Sequence, residues 1–487
     1  MDMLLLSQEE FHPFYRDINS YFREAIQDSP QSDPGFFFKP PPLGITLLAS
    51  HLNNNGLSAA PVHNFFTRED NKLLLIEHLR KKPFAVGVST THIFNRSMLD
   101  EITGLVGRLS PDSRLIVGGP GSEWNTGLRP DKAITVLGPG ENTLLGLLKA
   151  LKAGRDISGI PNLSYYEGGC LKETHRADDF PVELAPEPDW GLYPSPPGRV
   201  SLQGTRGCLH CCGFCSYGGS FSARGVRTVM DEIRNNRRKW GINFFRFTDS
   251  DIAADKERAL ELCRALEADG GYSWTCFARA DSLLDRDLLA AMKRAGCLWV
   301  FLGIESGSDK LLKAMNKGCD VSTMREGIAK VREAGIGVHG NFVVGYPGED
   351  AGTLKETQDF IRGSGLDTVY YSPFQIRSLE IPAYLNRNAH NLQGDLTSWR
   401  HGTMTSDELP ARTRSLMDEV WTSMDAPVLI NEVFFSFFSR EDGPGFRENV
   451  LDFSRAIRDW HRAERAGDKP GRGRAAARIG AHTRAFG

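Results

Sequence analysis

The spacing of apolar and polar positions changes several times along the chain. From about residue 35 it alternates between helical and strand-like patterns. Pro41–Gly56 (PPLGITLLASHLNNNG) repeats its apolar residues at helical spacing and stops on Gly, and a short strand, APVHNF, follows. FAVGVST (Phe84–Thr90), RLIVGGPG (Arg114–Gly121) and AITVLGPG (Ala133–Gly140) are apolar, β-branched runs ending in Gly, Ser or Thr, with helical segments between them. Strands without polar alternation, joined by helical crossovers, predict a parallel sheet covered on both faces. In such sheets ligands bind outside the carboxyl ends of the strands, where all three Gly-rich ends lie. The helix ENTLLGLLKALKAG closes this first, Rossmann-like domain near residue 155.

Residues 156–196 read as a hairpin turning at Gly168-Gly169 and a Pro-rich linker, DWGLYPSPPG. A second alternation then begins. Strands are predicted at RVSLQGTRG, NFFRFTDSD, YSWTCFARAD, LWVFLGIES, IGVHGNFVVG and LDTVYYSPFQI, separated by helices such as VMDEIRNNRRKW and KERALELCRALEAD. Six βα units over 197–380 predict a partial (β/α)6 barrel, with functional side chains gathered at the carboxyl ends of the strands. Beyond Pro382 the pattern weakens to a mostly helical appendage over 381–460. The Gly/Arg/Ala-rich tail, 461–487, predicts disorder.

Composition adds limits. A chain of 487 residues exceeds one compact domain, and 40% hydrophobic with 24% charged residues is a globular balance. A net charge of −3 gives no reason to expect a nucleic acid or an anionic membrane as partner. No apolar run approaches the roughly 18 residues of a membrane span. Asp2 stands where a signal peptide needs positive charge. The expectation is a cytoplasmic protein whose cysteines are reduced. Cys170, Cys263, Cys276, Cys297 and Cys319 are scattered and read as buried structural thiols.

The other four of the nine cysteines lie within CLHCCGFC, Cys208 to Cys215. Adjacent Cys211 and Cys212 leave two registers. One is a pair of abutting C-x-x-C motifs, a zinc or dithiol reading; the other is C-x-x-x-C-x-x-C through Cys208, Cys212 and Cys215. Structural zinc sites separate their two pairs by a folded loop, whereas here nothing lies between them, and neighbouring residues crowd one tetrahedral centre. His210 as a substitute ligand meets the same crowding. Three thiolates can instead hold three irons of a 4Fe–4S cluster, leaving the fourth iron open.

That spacing, in the loop after the first strand of a partial barrel, resembles the radical S-adenosylmethionine (SAM) superfamily. The resemblance implies that Cys208, Cys212 and Cys215 bind the cluster and that SAM chelates the open iron, and it leaves Cys211 as a bystander in the loop or as a redox or alternative ligand. It implies Phe214 as the aromatic preceding the last ligand. Thr248, Asp249 and Ser250 occupy by position alone the end of strand two, where the family carries a Gly-Gly-Glu-like motif that FTDSD lacks. Arg279 and then Glu305 and Ser306 end strands three and four, where SAM's carboxylate and ammonium, or one another, would be their partners. Gly345, in VVGYPGE, resembles the fifth-strand segment along the adenine.

Order along the chain extends the resemblance, over roughly residues 35–380, to the cobalamin-binding radical SAM class. In that class VGG and a GEGE-like turn, here GPGE, line the slot for the cobalamin tail. This implies Ser89, Thr90, Gly118, Gly119, Gly138, Gly140 and Glu141 as cobalamin-binding residues. No G-x-G-x-x-G follows the first strand, which argues against a dinucleotide. The D-x-H-x-x-G motif that supplies an axial histidine is absent, and His92, in STTHIF, reads as an ordinary helix-start residue.

The two cofactors together imply methyl transfer from methylcobalamin to an unactivated carbon, or a phosphinate phosphorus, of a small or carrier-bound biosynthetic intermediate. They also imply a flavodoxin- or ferredoxin-type electron donor. Tyr370, Tyr371, Gln375 and Arg377 are candidate substrate residues, and SWRHGTM offers an aromatic-plus-cation patch. The alternatives are a cobalamin-dependent rearrangement or cyclisation without methyl transfer, and a cobalamin- or redox-sensing iron–sulfur protein.

Overall fold

The computed structural model describes residues 1–9, 22, 24–28, 41–93, 95–177, 180–194, 197–422, 428–429 and 445–483. Residues 195–196 of the expected linker, 423–427 and 430–444 of the appendage and 484–487 of the tail lie outside them. The chain forms two compact units, one within Met1–His12 and Pro41–Pro197, the other within Pro13–Pro40 and Gly198–Gly487. Among the described residues no helix is long and apolar enough to cross a membrane.

The first unit is built on a seven-stranded sheet: β1 (Met3–Ser7), β2 (Ala59–His63), β3 (Ala85–Ser89), β4 (Arg114–Gly118), β5 (Ile134–Val136), β6 (Leu163–Glu167) and β7 (Cys170–Glu173), in the order β2-β1-β3-β4-β5-β6-β7. The first five strands are mutually parallel; β6 and β7 are antiparallel additions. β1 is a strand that periodicity did not reveal. Its MLLLS run is buried throughout, because Leu4 and Leu6 pack with Leu75, Leu99 and Val106 while Met3 and Leu5 pack with Ile45, Leu147 and Leu148. A strand covered on both faces has no polar alternation to read. The register sets Ser7, Ser89, Gly118 and Val136 in one row at the carboxyl edge. The hairpin between β6 and β7 turns at Gly168 and Gly169, with φ of +58° and +81°, as a two-residue turn requires.

The Pro-rich stretch expected as a free linker packs instead against the Leu43–Asn54 helix. Trp190 and Tyr193 are buried, the Asp189 N–H donates to Ser50 Oγ at 2.8 Å, and the Tyr193 and Thr46 hydroxyls share a 2.8 Å hydrogen bond.

In the second unit the chain passes through β8 (Arg199–Leu202), a small hairpin of β9 (Thr205–Gly207) and β10 (Phe221–Ala223), then β11 (Phe244–Phe247), β12 (Ser273–Ala278), β13 (Cys297–Glu305), β14 (Gly337–Val344) and β15 (Thr368–Pro373). A second small sheet, β16 (Gln393–Asp395), β17 (Ser398–His401) and β18 (Met404–Thr405), is followed by β19 (Val428–Leu429). The large sheet is wholly parallel, in the order β19-β15-β14-β13-β12-β11-β8, and open between β8 and β19. All six strands read from the sequence lie in it, with β19 added. Aspartates start the crossover helices: Asp255, Asp285, Asp320 and Asp350 each accept the backbone N–H three residues on, satisfying a donor that a helix start leaves bare.

The C-terminal appendage is mostly helical, as read, and within it β16–β18 form an antiparallel sheet whose strands are too short to show a period of two. One expectation for this region is corrected. The tail is not disordered over its described part: Lys469–Thr483 is a helix against Phe446–Ala466. It buries Ala475, Ala476 and Ile479, and Arg478 pairs with Asp452 and with Asp459 at 2.9 Å. Small residues that read as low complexity allow this close approach, and the arginine meets acids on the neighbouring helix.

The small sheet docks on the carboxyl end of β14. Trp399 Nε1 donates to the Phe374 carbonyl and His401 Nε2 to the Gly345 carbonyl, each at 3.0 Å, with the two rings stacked at 5.1 Å. The SWRH patch is therefore a staple. Trp399 and His401 are buried, while Arg400 points the other way to Gln393. Gly345, at φ +90°, has no room for a Cβ, which would lie 2.4 Å from Leu409 and 2.9 Å from Trp399. Its N–H donates to Glu349 Oε1 at 3.0 Å, and burial pushes the Glu349 carboxyl up to about 8, against the lowering effects of that hydrogen bond and of Arg412.

Two outcomes follow for stability. Ile479→Ala empties a fully buried position and is expected to cost about 2–4 kcal/mol in urea unfolding; an unchanged midpoint would mean that the last helix is not part of the core. Glu349 holds its proton in the folded state after the unfolded chain has released it. Stability is therefore lost as pH rises from the ordinary carboxyl range towards about 8, on the order of 1 kcal/mol per pH unit. Glu349→Gln is expected to flatten that slope, and parallel slopes in the two proteins would refute the assignment.

Candidate functional site

The cysteines occupy the loop between β9 and β10, at the carboxyl end of the first barrel strand. The hairpin closes tightly: the Cys208 N–H donates to the Ser220 carbonyl at 2.8 Å, and Gly207, at φ +83°, would place a Cβ 1.9 Å from that oxygen. Polar side chains fasten its base. Arg258 donates to the Arg224 and Gly204 carbonyls at 3.0 Å each, and Arg224 makes a buried 2.6 Å ion pair with Glu232. Ser250 Oγ donates to the Gly207 carbonyl at 2.6 Å and Thr248 Oγ1 to that of Leu202 at 3.2 Å.

Within the loop the four thiols differ. Cys212 is buried, Cys208 and Cys215 are half-buried, and Cys211 is exposed. Burial pushes the Cys212 thiol up, opposed by the Lys317 and Arg279 cations, with Cys208 adding to the rise. Burial also pushes Cys215 up to about 11, reinforced by Cys212 and Cys208. Cys212 and Cys215 are thus the deep thiols of the loop, and Cys211 is its exposed one. Among the described residues no three His, Cys, Asp or Glu side chains converge on a single-ion site, as tetrahedral zinc would require. Three thiols that each bind a different iron need no such convergence, so the set fits a cluster with one open iron.

A five-residue strap, Ala314–Gly318, reaches the loop from the other side. The Ala314 carbonyl accepts from Tyr346 Oη at 3.1 Å, and the Met315 carbonyl from the Gly213 N–H at 2.7 Å. Asn316 Nδ2 donates to the Cys211 carbonyl at 3.0 Å. Lys317 Nζ donates to Glu305 Oε1 at 3.0 Å, and the Lys317 carbonyl accepts from Arg279 Nη2 at 2.6 Å. Gly213 is held from both sides, its carbonyl accepting from Ala383 N–H at 2.9 Å, and a Cβ there would lie 2.1 Å from Tyr346 Oη. Sequence reasoning missed Asn316, Lys317 and Tyr346. The available signal was KAMNKGCD, where Asn316 and Gly318 both take positive φ just beyond the Asp309–Ala314 helix.

The charged candidates at the strand ends are paired, but not with each other. Arg279 forms a two-pronged pair with Asp281 at 2.9 and 2.8 Å. Burial works against its charge, yet the Asp281 carboxylate prevails and its pKa is raised. Glu305 takes φ +67°, rare for a residue with a side chain, at an irregularity between β13 and β14. Its carboxylate curls over Gly303, whose missing Cβ would sit 2.5 Å from Oε1, to reach Lys317.

Other candidates divide. Phe214 lies edge-on to Tyr346, ring centroids 6.4 Å apart, beside the thiols. Asp249 does not face the mouth. It is fully buried against Gly204, where a Cβ would lie 3.0 Å from both its oxygens and 3.2 Å from Arg258, and burial pushes its pKa up. Ser306 is likewise turned inward, its hydroxyl 3.1 Å from that of Thr357 on the Ala351–Ser364 helix. Tyr370 is level with Asn341 on β14, but Tyr371, the next residue along the strand, points to the opposite face and packs on Phe342 at 6.0 Å. Gln375 is buried and accepts from exposed Arg377 Nε at 2.8 Å. Of the scattered cysteines, Cys263, Cys276 and Cys297 are buried, whereas Cys319 is half-buried and Cys170, on an edge strand, is exposed.

In the first unit, Ser89 and Gly118 end adjacent strands in register, and Gly119 follows at φ +97°. Gly138, at φ +68°, and Gly140 precede and open the Gly140–Lys152 helix, with Glu141 buried in its first turn. Thr90 is fully buried and already used: its hydroxyl donates to the Gly118 carbonyl at 2.9 Å and accepts from the Ser122 N–H at 2.8 Å. It joins two loops and leaves nothing for a ligand. The four glycines keep the edge free of side chains, which suits close backbone approach by an extended cofactor tail. His92 lies in the turn before Asn95, the residue that caps the Arg96–Leu109 helix.

Comparison with known proteins agrees with this geometry. Residues 202–361 match the family model of the Radical SAM superfamily. The chain is 27% identical over 363 residues to an uncharacterized methyltransferase of Pyrococcus horikoshii, which spans 69% of this chain and 75% of that one. It is 29% identical over 245 residues to the anaerobic magnesium-protoporphyrin IX monomethyl ester cyclase of Cereibacter sphaeroides, covering 46% of this chain and 40% of the cyclase. In structure it resembles the radical S-adenosylmethionine methyltransferase TsrM from Kitasatospora setae, solved with cobalamin and a 4Fe–4S cluster, with a TM-score of 0.61 at 21% identity over 79% of this chain and 78% of that one. The chain therefore carries a radical SAM domain over residues 202–361 and shares its fold, across most of its length, with a cobalamin-bound radical SAM methyltransferase.

Proposed function

We propose that this protein is a cobalamin-dependent radical SAM methyltransferase acting on an unactivated carbon, or a phosphinate phosphorus, of a small or carrier-bound molecule. The reading rests above all on one observation. Three buried or half-buried thiols, Cys208, Cys212 and Cys215, lie in one loop at the carboxyl end of an open parallel sheet, and the fourth, Cys211, is exposed. They would hold the cluster and leave its fourth iron for SAM.

Phe214 within the loop, and Arg279, Glu305 and Gly345 at strand ends around it, would seat SAM, with Lys317 keeping Glu305 in place. Thr248 and Ser250 fasten the loop and are positioning residues. Ser89, Gly118, Gly119, Gly138, Gly140 and Glu141 would line the cobalamin tail. When bound, the cluster and SAM supply a radical that removes a hydrogen atom, and cobalamin supplies the methyl group. The chain's own part is to hold the reacting groups in fixed relation and keep water out. A flavodoxin- or ferredoxin-type donor would supply electrons. The cyclase relative supports a second reading, a radical rearrangement or cyclisation without methyl transfer.

Protein reconstituted anaerobically with iron, sulfide and cobalamin is expected to convert SAM, with reductant, to both 5′-deoxyadenosine and S-adenosylhomocysteine. Deoxyadenosine without the homocysteine product would favour the second reading, and neither product would defeat both. Cys208→Ala and Cys215→Ala are each expected to lose bound iron, whereas Cys211→Ala keeps it. Loss of iron from Cys211→Ala would show that the ligand register is wrong.

A further inference from the structure

Cys211 and Cys212 are adjacent and chemically alike, yet Cys212 is buried and Cys211 is exposed. Nothing within CLHCCGFC distinguishes them, since the ligand set Cys208, Cys211, Cys215 would have the mirror-image spacing. What distinguishes them reaches in from outside. The peptide groups on either side of Cys212 are both held by the 314–318 strap: the Cys211 carbonyl accepts from Asn316 Nδ2 at 3.0 Å, and the Gly213 N–H donates to the Met315 carbonyl at 2.7 Å. Of these two ties the first alone comes from a side chain and can be removed by substitution. Asn316 suits its place for two reasons. It holds φ at +51°, which Asn tolerates better than most residues, and its short amide reaches the neighbouring backbone.

We propose that Asn316 sets the register of the cysteine loop. By holding the Cys211 carbonyl it keeps the Cys211 thiol outward and the Cys212 thiol inward, and so makes Cys212 the third cluster ligand. Asn316 contacts no thiol in this role and is a positioning residue. The inference rests on the reading of Cys208, Cys212 and Cys215 as cluster ligands. Without the tie, the peptide between Cys211 and Cys212 is free to turn, and either thiol can enter the site.

The test compares anaerobically reconstituted Cys212→Ala, Cys212→Ala/Asn316→Gly and Cys211→Ala/Cys212→Ala/Asn316→Gly by iron and sulfide content and by the cluster's visible absorption. Glycine keeps the positive φ at no steric cost. The expected result is loss of the cluster in Cys212→Ala, its return in the double variant through Cys211, and loss again in the triple. Asn316→Asp in place of Asn316→Gly keeps the shape without the N–H donor and is expected to act the same way. In reconstituted Asn316→Gly with all four cysteines present, Cys211 is expected to become partly protected from alkylation. A double variant as empty of iron as Cys212→Ala, with either residue at 316, overturns the inference while leaving the ligand assignment intact. A cluster retained by Cys212→Ala alone overturns the assignment itself, and the inference with it.

Discussion

A loop of four thiols has no regular structure to hold its shape, so the site depends on backbone hydrogen bonds brought to it from elsewhere. The strap at 314–318 supplies them. In five residues it meets β14 through Tyr346, the cysteine loop through Gly213 and Cys211, β13 through Glu305, and β12 through Arg279. Each bond is modest alone, of the order of 1 kcal/mol net. Their value lies in joining three strand ends and the loop through one short covalent segment, so that no part shifts independently.

The same segment explains how buried charge is tolerated at the mouth. Arg279, Glu305 and Lys317 are all largely buried, and an unpaired charge there would be very costly. The pairs are Arg279 with Asp281 and Glu305 with Lys317, and the Lys317 carbonyl takes a further Arg279 proton. Two ion pairs thereby become one network. Glu305 bears a strained backbone within it, a cost that only a specific arrangement sustains.

Much of this was legible in the sequence, and the exceptions share a cause. The six barrel strands were readable because Gly, Ser and Asp punctuate apolar runs. The cysteine loop stood out because four of the nine cysteines fall within eight residues, although spacing alone does not choose between Cys211 and Cys212. β1 was not, since a strand buried on both faces looks like any short apolar run. Asp249, Ser306, Thr90 and Tyr371 stand at the right strand ends, but rank order along a chain does not say which way a side chain turns. Tyr370 and Tyr371 differ by one residue and face opposite sides. Asn316 and Lys317 escaped notice because their partners are more than ten residues away. The tail helix was hidden because Ala, Gly and Arg suit close helix packing as well as disorder.

The hairpin of β6 and β7 has a consequence for how the molecule behaves in company. A parallel sheet buried on both faces would end at β5 in a row of bare peptide groups, a template for another chain. The hairpin moves that boundary outward to β7, whose four residues are all exposed and include Lys172 and Glu173. Charge on an outermost strand discourages edge-to-edge joining of sheets. The guard against edge pairing is thus a segment that lies outside the cysteine site, and it carries Cys170, an exposed thiol open to cross-linking in air.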